Sequence, residues 1–297
     1  MITKPDENKI TTEEVGCDLC GENRSDVILR TSDIRQRCRM EYRLVRCRGC
    51  GLVYLNPRPT ASSITEYYTT FKPGASRRKP QFYERFYYDF FRAIPLKRKG
   101  SLLDVGCGGG AYLYHLKRKG WKVAGIDIQN TDYARDSLGI EAYEGTLLDA
   151  GLKSESFDAV TFWWTLEHMY EPVAMLKEAY RVLKKGGVLI AGVPNIESLE
   201  ARIFGRYWFH LLMPMHLYHF SPGSIGECLK KAGFQDFKIR QDPFSFGIMG
   251  SIQCMLNDKG IYASFTNPFW YAASLPFDML LSLTGKSGLM TAYAFKR

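Results

Sequence analysis

From Ser101 to Asn195, short apolar runs alternate with amphipathic stretches of helical period. This alternation restricts the fold more than any other feature, because strands separated by helices build a parallel sheet covered on both faces. The strand candidates are SLLDVG, WKVAGID, IEAYEG, FDAVTFWW and GGVLIAGV. Between them AYLYHLKRKG, TDYARDSLG and PVAMLKEAYRVLKKG read as helices, the first and third closing on Lys and Gly as helix C-termini do. After Pro194, SPGSIGECLKKAG predicts a helix, and FQDFKIR and LMTAYAFK predict strands. An aromatic and Met-rich insertion at about 242–286 separates those two strands. With 45% apolar residues in 297, the chain can bury a core without disulfide staples.

The first strand runs into CGGG, so Gly106, Gly108 and Ala111 satisfy the dinucleotide pattern G-x-G-x-x-G/A. Asp104 argues against a dinucleotide, since its carboxylate would face the pyrophosphate and like charges repel. A cofactor with a cationic sulfonium and an ammonium group, S-adenosylmethionine, suits that carboxylate. Asp127 closes the second strand, where an acid can accept both ribose hydroxyls. At the third strand end EGTLLDA places Thr146, Leu147 and Asp149 near the adenine.

These motifs together resemble the class I S-adenosylmethionine-dependent methyltransferases: DVGCGGG, GIDI, FDAVTFWWTLEHMYEP and EAYRVLKKGGVLIAGVPN, over Leu102 to Asn195. The double CxxC before them and MPMHLYHFSP after them are similar to a bacterial branch of that family with an N-terminal zinc-binding segment. The resemblance implies an α/β fold: a doubly wound, mostly parallel seven-stranded Rossmann-like sheet, with the cofactor across the C-terminal strand ends. It makes Gly106, Gly108 and Gly110 the methionine-side loop and assigns Asp104 to the amino-acid end of the cofactor. Asp127 becomes the ribose acceptor, with Ile128, Thr146 and Leu147 as further contacts. Trp163 or Trp164 can stack on a flat substrate or the adenine; side chains alternate along a strand, so at most one of the two should face the pocket.

Cys17 and Cys20 in CDLCGE, and Cys47 and Cys50 in CRGCGL, form two matched knuckles, each followed by glycine. Four thiolates suit tetrahedral zinc, and a full protein shell leaves no open position, so the expected role is structural. Cys38, between the knuckles, is a spare thiol or an alternative ligand.

A sulfonium is already a good leaving group, so methyl transfer needs alignment in a dry pocket more than acid chemistry. A hydroxyl or ammonium acceptor also needs a base. His168 follows the fourth strand beside Trp163, Trp164 and Glu167, while His210, His216 and His219 come later. His216, then His168, are the catalytic candidates, set against the plainer reading of hydrogen-bonded structural histidines.

The sequence therefore divides into a zinc-binding ribbon-like part (1–60), a helical connector and pocket cap (61–98) and a methyltransferase part (99–297). In the connector, Phe82, Phe86, Tyr87 and Phe90 are expected to pack on the next domain, and Tyr67, Tyr68 or Tyr83 to cap a ligand pocket. Three functional classes stand. The favoured one is methyl transfer to a small molecule such as a sugar, a lipid precursor or a secondary metabolite. The second is an RNA methyltransferase, suggested by the ribbon and the net charge of +9. The third is a non-catalytic scaffold that kept the cofactor fold. The polar N-terminus lacks a signal-peptide pattern and no long uninterrupted apolar run spans a membrane, so a cytoplasmic chain is expected. The apolar stretch NPFWYAASLPFDMLLSLTGK reads as a lid or buried insertion rather than a membrane-surface segment, because Pro276 and Asp278 interrupt it.

Overall fold

The computed structural model describes residues 6–34, 40–70, 78–261 and 268–297; Cys38 lies outside them. The N-terminal part holds β1 (Thr12–Glu13), β2 (Ser25–Ser32), β3 (Glu41–Cys47), β4 (Val53–Leu55) and β5 (Arg58–Pro59). Two helices follow, α1 (Thr65–Thr70) and α2 (Phe82–Phe91). Then come β6 (Ser101–Val105), α3 (Ala111–Arg118), β7 (Lys122–Asp127), α4 (Thr131–Asp136), β8 (Glu141–Glu144) and β9 (Phe157–Trp163). The chain continues through α5 (Pro172–Val182), β10 (Leu183–Pro194), α6 (Leu199–Phe204), β11 (Tyr218–His219), α7 (Pro222–Ala232) and β12 (Asp236–Gln241). It ends with α8 (Gly247–Asp258), α9 (Pro268–Leu283) and β13 (Leu289–Phe295).

The expected seven-stranded sheet is present, in the order β12-β13-β10-β9-β6-β7-β8. Its neighbours are parallel from β10 to β8, while β13 runs antiparallel to both β10 and β12. The central strands are apolar on both faces because helices cover both: Leu102, Leu103, Val160 and Phe162 are fully buried. The strands fall where the pattern places them, with one shift. The helix predicted over 172–186 stops at Val182, and Leu183 already begins β10, paired with Phe157. Local chemistry sets helix ends elsewhere. For α7, Ser221 caps the Ser224 N–H at 3.1 Å, Pro222 sits in the first turn, and left-handed Gly233 stops the helix.

The smaller sheet has the order β11-β4-β3-β2, so its edge strand comes from residues 218–219, far along the chain. The bond from Leu55 N–H to the Leu217 carbonyl (2.9 Å) extends this pairing. Arg58 donates to the Tyr170 carbonyl (2.9 Å), and the Tyr170 hydroxyl donates to the Pro59 carbonyl (2.8 Å). The cysteine-bearing segment is thus knitted to the turn that follows β9.

On α2, the expectation for the aromatic stripe is corrected. Phe82, Phe86 and Phe90 are exposed, as is Tyr83. Of the four expected residues only Tyr87 faces inward, against Trp164 and Phe246, and it is joined there by Tyr88 and Phe91, with Phe91 against Phe244 (4.4 Å between centroids) and Tyr88 against Tyr112 (5.3 Å). No described helix is long and apolar enough to cross a membrane.

Candidate active site

The glycine loop turns tightly off β6. Gly106, Gly108 and Gly110 have φ of +82°, +50° and +79°, a region that side chains with a Cβ rarely adopt. At Gly106 a Cβ would also lie 2.3 Å from Thr165 Oγ1, so the loop and the turn after β9 are in direct apposition. Asp127, at the end of β7, accepts from Gly108 N–H (2.8 Å) and Gln129 N–H (3.1 Å), which fixes its carboxylate beneath the loop. Burial pushes its pKa up. Ile128 beside it is exposed. Thr146 donates to Asp149 at the end of β8. Leu147 is fully buried in the apolar core, while the adjacent Leu148 is exposed.

Asp104 is buried and accepts from Thr161 Oγ1 at 2.6 Å. Burial pushes its carboxyl up to about 7, against the pull of Thr161 and of Arg92. Arg92 is the residue the sequence reading missed. Its buried guanidinium stands 4.7 Å from the Trp163 ring and 4.3 Å from the Trp164 ring, with Tyr87, Tyr88 and Tyr112 within 5.8 Å. It also acts on Asp242, whose burial pushes it up to about 6 while Thr291 donates to it. The only local sign was a cation closing the aromatic run QFYERFYYDFFR just before the glycine strand. The rule that only one of the two tryptophans can face a given site fails here. β9 ends at Trp163, and Trp164 takes a left-handed φ of +55°, which brings both rings to Arg92.

Behind Thr165, a short turn over Leu166–His168 carries Glu167 and His168. Leu217 N–H donates to the Glu167 carbonyl (2.8 Å), binding this turn to the segment that carries His216. His168 and His216 meet edge to face with centroids 4.6 Å apart, and His219 lies 6.1 Å from His216. Sequence positions 168 and 216 are therefore brought together. His168 Nδ1 is 2.9 Å from the Met215 carbonyl, and His216 Nδ1 is 2.8 Å from the His210 carbonyl. A carbonyl can only accept, so each Nδ1 carries the proton and each Nε2 keeps a free lone pair. Burial holds His168 down at about 4 and His216 well below its ordinary value, so both rings are neutral at pH 7.

Glu167 is fully buried, and among the described residues neither carboxyl oxygen has a hydrogen-bond partner on another residue. Burial pushes it up to about 8. Its Oε1 lies 3.9 Å from His216 Nε2. One donor atom from each of Glu167, His168 and His216 fits within 4.8 Å of the others. Tyr68, on α1, places its hydroxyl 3.3 Å from His168 Nδ1 and lies in the field of both Asp127 and Glu167. It is the one of the three candidate capping tyrosines that reaches this wall. Tyr67 points away to Tyr42, with hydroxyls 2.7 Å apart.

The four knuckle thiols converge. Cys17 and Cys50 sulfurs are 3.5 Å apart, as are those of Cys20 and Cys47, and all four lie within 4.8 Å. Each knuckle closes on a left-handed glycine, with Gly21 N–H donating to the Cys17 carbonyl (2.8 Å) and Gly51 N–H to the Cys47 carbonyl (3.0 Å). Asp18, inside the first knuckle, accepts from Val173 N–H (3.0 Å) and so caps α5 directly after the Glu167 turn.

Residues 77–239 match the family described as a methyltransferase domain. The chain belongs to that family. Among similar curated proteins is the ubiquinone biosynthesis O-methyltransferase of Cereibacter sphaeroides (strain ATCC 17025 / ATH 2.4.3). It is 30% identical over 160 residues, covering 49% of this chain and 65% of the relative. The protein of the same name from Hahella chejuensis is 36% identical over 111 residues, covering 35% and 45%. This methyltransferase-family chain thus spans less than two thirds of the length of these relatives. Among solved structures, the [4+2]-cyclase SpnF has a TM-score of 0.55 at 20% identity, over 80% of this chain and 97% of that one. Phosphoethanolamine N-methyltransferase 2 of Haemonchus contortus has 0.53 at 17%, over 82% and 62%. These likenesses show the shared fold.

Proposed function

We propose that the chain is an S-adenosylmethionine-dependent methyltransferase acting on a small molecule, with His216 and His168 supplying the base. The observation that carries this is the joining of a cofactor-type carboxylate to a base wall. Asp127 under the glycine loop and the Glu167–His168–His216 cluster are bridged by Tyr68 and by the Gly106–Thr165 contact. The family match and the names of the relatives, O-methyltransferases of small-molecule biosynthesis, support the same reading.

The residues fit the cofactor. Asp127 would hold the ribose hydroxyls, the glycine loop would let the backbone approach closely, and Asp104 would face the amino-acid end. Ile128 and Thr146 stand at the adenine side, and the buried Leu147 would serve there through its backbone. When bound, the cofactor supplies an electrophilic methyl group. The chain's own residues orient the acceptor, exclude water and take its proton. His216 Nε2, unprotonated at pH 7, receives that proton, and the carboxyl group of Glu167, with Oε1 3.9 Å away, lies beside it. Trp163, Trp164 and Arg92, which meet at the end of β9, are where a flat or anionic group would be held.

The four thiols fit zinc. Zn–S bonds of about 2.3 Å in a tetrahedron put sulfurs roughly 3.8 Å apart, close to the 3.5 Å found for two pairs. In this reading residues 1–60 are the zinc-binding part, 61–98 the connector and cap, and 99–297 the methyltransferase part, with β11 lent to the zinc-side sheet. The pairing of β11 and the Asp18 cap support zinc as a brace for the base wall, rather than as a detached nucleic-acid arm.

The test is turnover of hydroxylated aromatic acceptors with methyl-labelled cofactor by the wild type and by His216→Asn and His168→Asn. The expected result is labelled O-methyl product from the wild type, a loss of about 10²-fold or more in kcat in one variant, and unchanged cofactor affinity. Unchanged kcat in both variants would remove the base assignment. So would a strict divalent-cation requirement abolished by either substitution, which would make the cluster a metal site.

A further inference from the structure

Helix α9 is built inside out. Its polar side chains face the protein: Ser274 and Asp278 are buried, along with Leu281. Asp278 Oδ1 accepts from Ser245 Oγ (3.0 Å) and Oδ2 from Ser274 Oγ (3.2 Å), while Ser282 Oγ donates to the Gln241 carbonyl (2.8 Å). Its apolar side chains face outward: Phe277 is 46% exposed, Leu280 55% and Leu283 84%, with Met279 between them. At 100° per residue, the exposed positions 270, 273, 276, 277, 279, 280 and 283 occupy an arc of about 180° without a charge. Asp278, which interrupts the stretch in the sequence, thus leaves the outer face uninterrupted because it points inward.

We propose that this face of α9 docks on an anionic lipid surface, lying in the interface rather than crossing it. At 16 residues α9 is shorter than a spanning helix, which needs about 20. The neighbouring surface continues the apolar face. Ile203 on α6 and Ile261 after α8 are exposed, α8 packs on both α6 and α9, and Leu199 N–H donates to the Lys286 carbonyl (3.1 Å). Arg202 on α6, Lys259 just after α8 and Lys286 just after α9 are exposed, in a chain of net charge +9. An apolar face bordered by cations is the pattern of helices that rest on anionic headgroups. A second copy of the chain is the less favourable occupant, since apposing two such faces would bring the three cations against their counterparts.

Flotation of the full chain with vesicles of phosphatidylcholine alone, and of phosphatidylcholine and phosphatidylglycerol in equal parts, tests this. Binding is expected only to the anionic vesicles and to weaken with salt. The variant Phe277→Ser/Leu280→Ser/Leu283→Gln should lower the partition coefficient at least about tenfold with the thermal midpoint held, because its changes sit on the exposed face. A second variant, Lys259→Glu/Lys286→Glu, should bind less and lose the salt dependence. No binding to anionic vesicles, or equal binding by the triple variant, would overturn the proposal. So would a wild-type dimer in sedimentation that the triple variant dissociates, which would assign the face to a second copy.

Discussion

Replacing Glu167 by Gln should make the protein more stable and less active. Glu167 is fully buried, lacks a partner on another of the described residues, and has its pKa pushed by burial from the ordinary 4.5 to about 8. The folded chain therefore holds a proton that the unfolded chain releases near neutrality. Linkage makes that retained proton cost about 1 kcal/mol at pH 5, about 3 at pH 7 and about 5 at pH 9. Glutamine has nearly the same shape and no charge to lose; its amide brings one N–H donor more than the protonated acid, which takes back part of the gain, so the linkage figures are upper bounds. For a chain of 297 residues, an unfolding entropy of about 0.6 kcal/mol per degree converts the pH 7 gain to a midpoint roughly 5 °C higher. Scanning calorimetry at three pH values, without cofactor, measures this. The gap between variant and wild type should widen as pH rises, while kcat falls at least about tenfold because His216 loses the neighbouring carboxyl, the one group of the cluster that can release its proton as the imidazole gains one. A variant less stable than wild type, or a gap that does not change with pH, would refute the picture of a strained, unpaired carboxyl held for function.

Three further outcomes follow from the same structure. The cofactor-free wild type should lose stability between pH 6.5 and 8. Asp104 and Glu200, both at about 7, and Glu167 at about 8 hold protons there that the unfolded chain has released, so stability falls as pH rises. His168, at about 4, and His219, at about 3, act in the opposite sense, but only below about pH 6.5; urea midpoints across this range check the sign. Gly106→Ala should cost about 2–4 kcal/mol, from a left-handed φ of +82° and a Cβ driven against Thr165, and a midpoint within error of wild type would contradict the loop geometry. The purified protein should carry one zinc ion per chain by elemental analysis. Cys47→Ser should lose it and lower kcat with cofactor affinity largely kept, because β4 carries the strand that holds His219; a zinc-free wild type of equal stability would refute this.

The central sheet, the glycine loop and Asp127 were legible because their signals are local. Strand period, glycine spacing and an acid at a strand end all lie within a few residues of one another. The knuckles were legible for the same reason. What escaped depends on contacts distant in sequence. Arg92 acquires its meaning only when Trp163, Trp164 and Tyr112 close around it, and Asp242 when Thr291 reaches it across the sheet. The pairing of β11 with β4 joins residues 160 or more positions apart, and no periodicity announces it. For α9 the composition was read correctly as apolar and its orientation was not. Pro276 and Asp278 interrupt the stripe in the sequence, whereas in the fold Ser245 and Ser274 turn the acid inward and Pro276 lies within the exposed apolar face. The stripe on α2 erred in the opposite direction, since Phe82, Phe86 and Phe90 have the spacing of a core face and are exposed.

The most direct test of the account is calorimetric titration of the purified chain with S-adenosylmethionine, S-adenosylhomocysteine and NAD, alongside Asp127→Ala. The account predicts micromolar binding of the first two, no binding of NAD, and at least about a tenfold loss in the variant, in which the ribose hydroxyls lose their acceptor. Binding of NAD alone, or of none of the three, would contradict it.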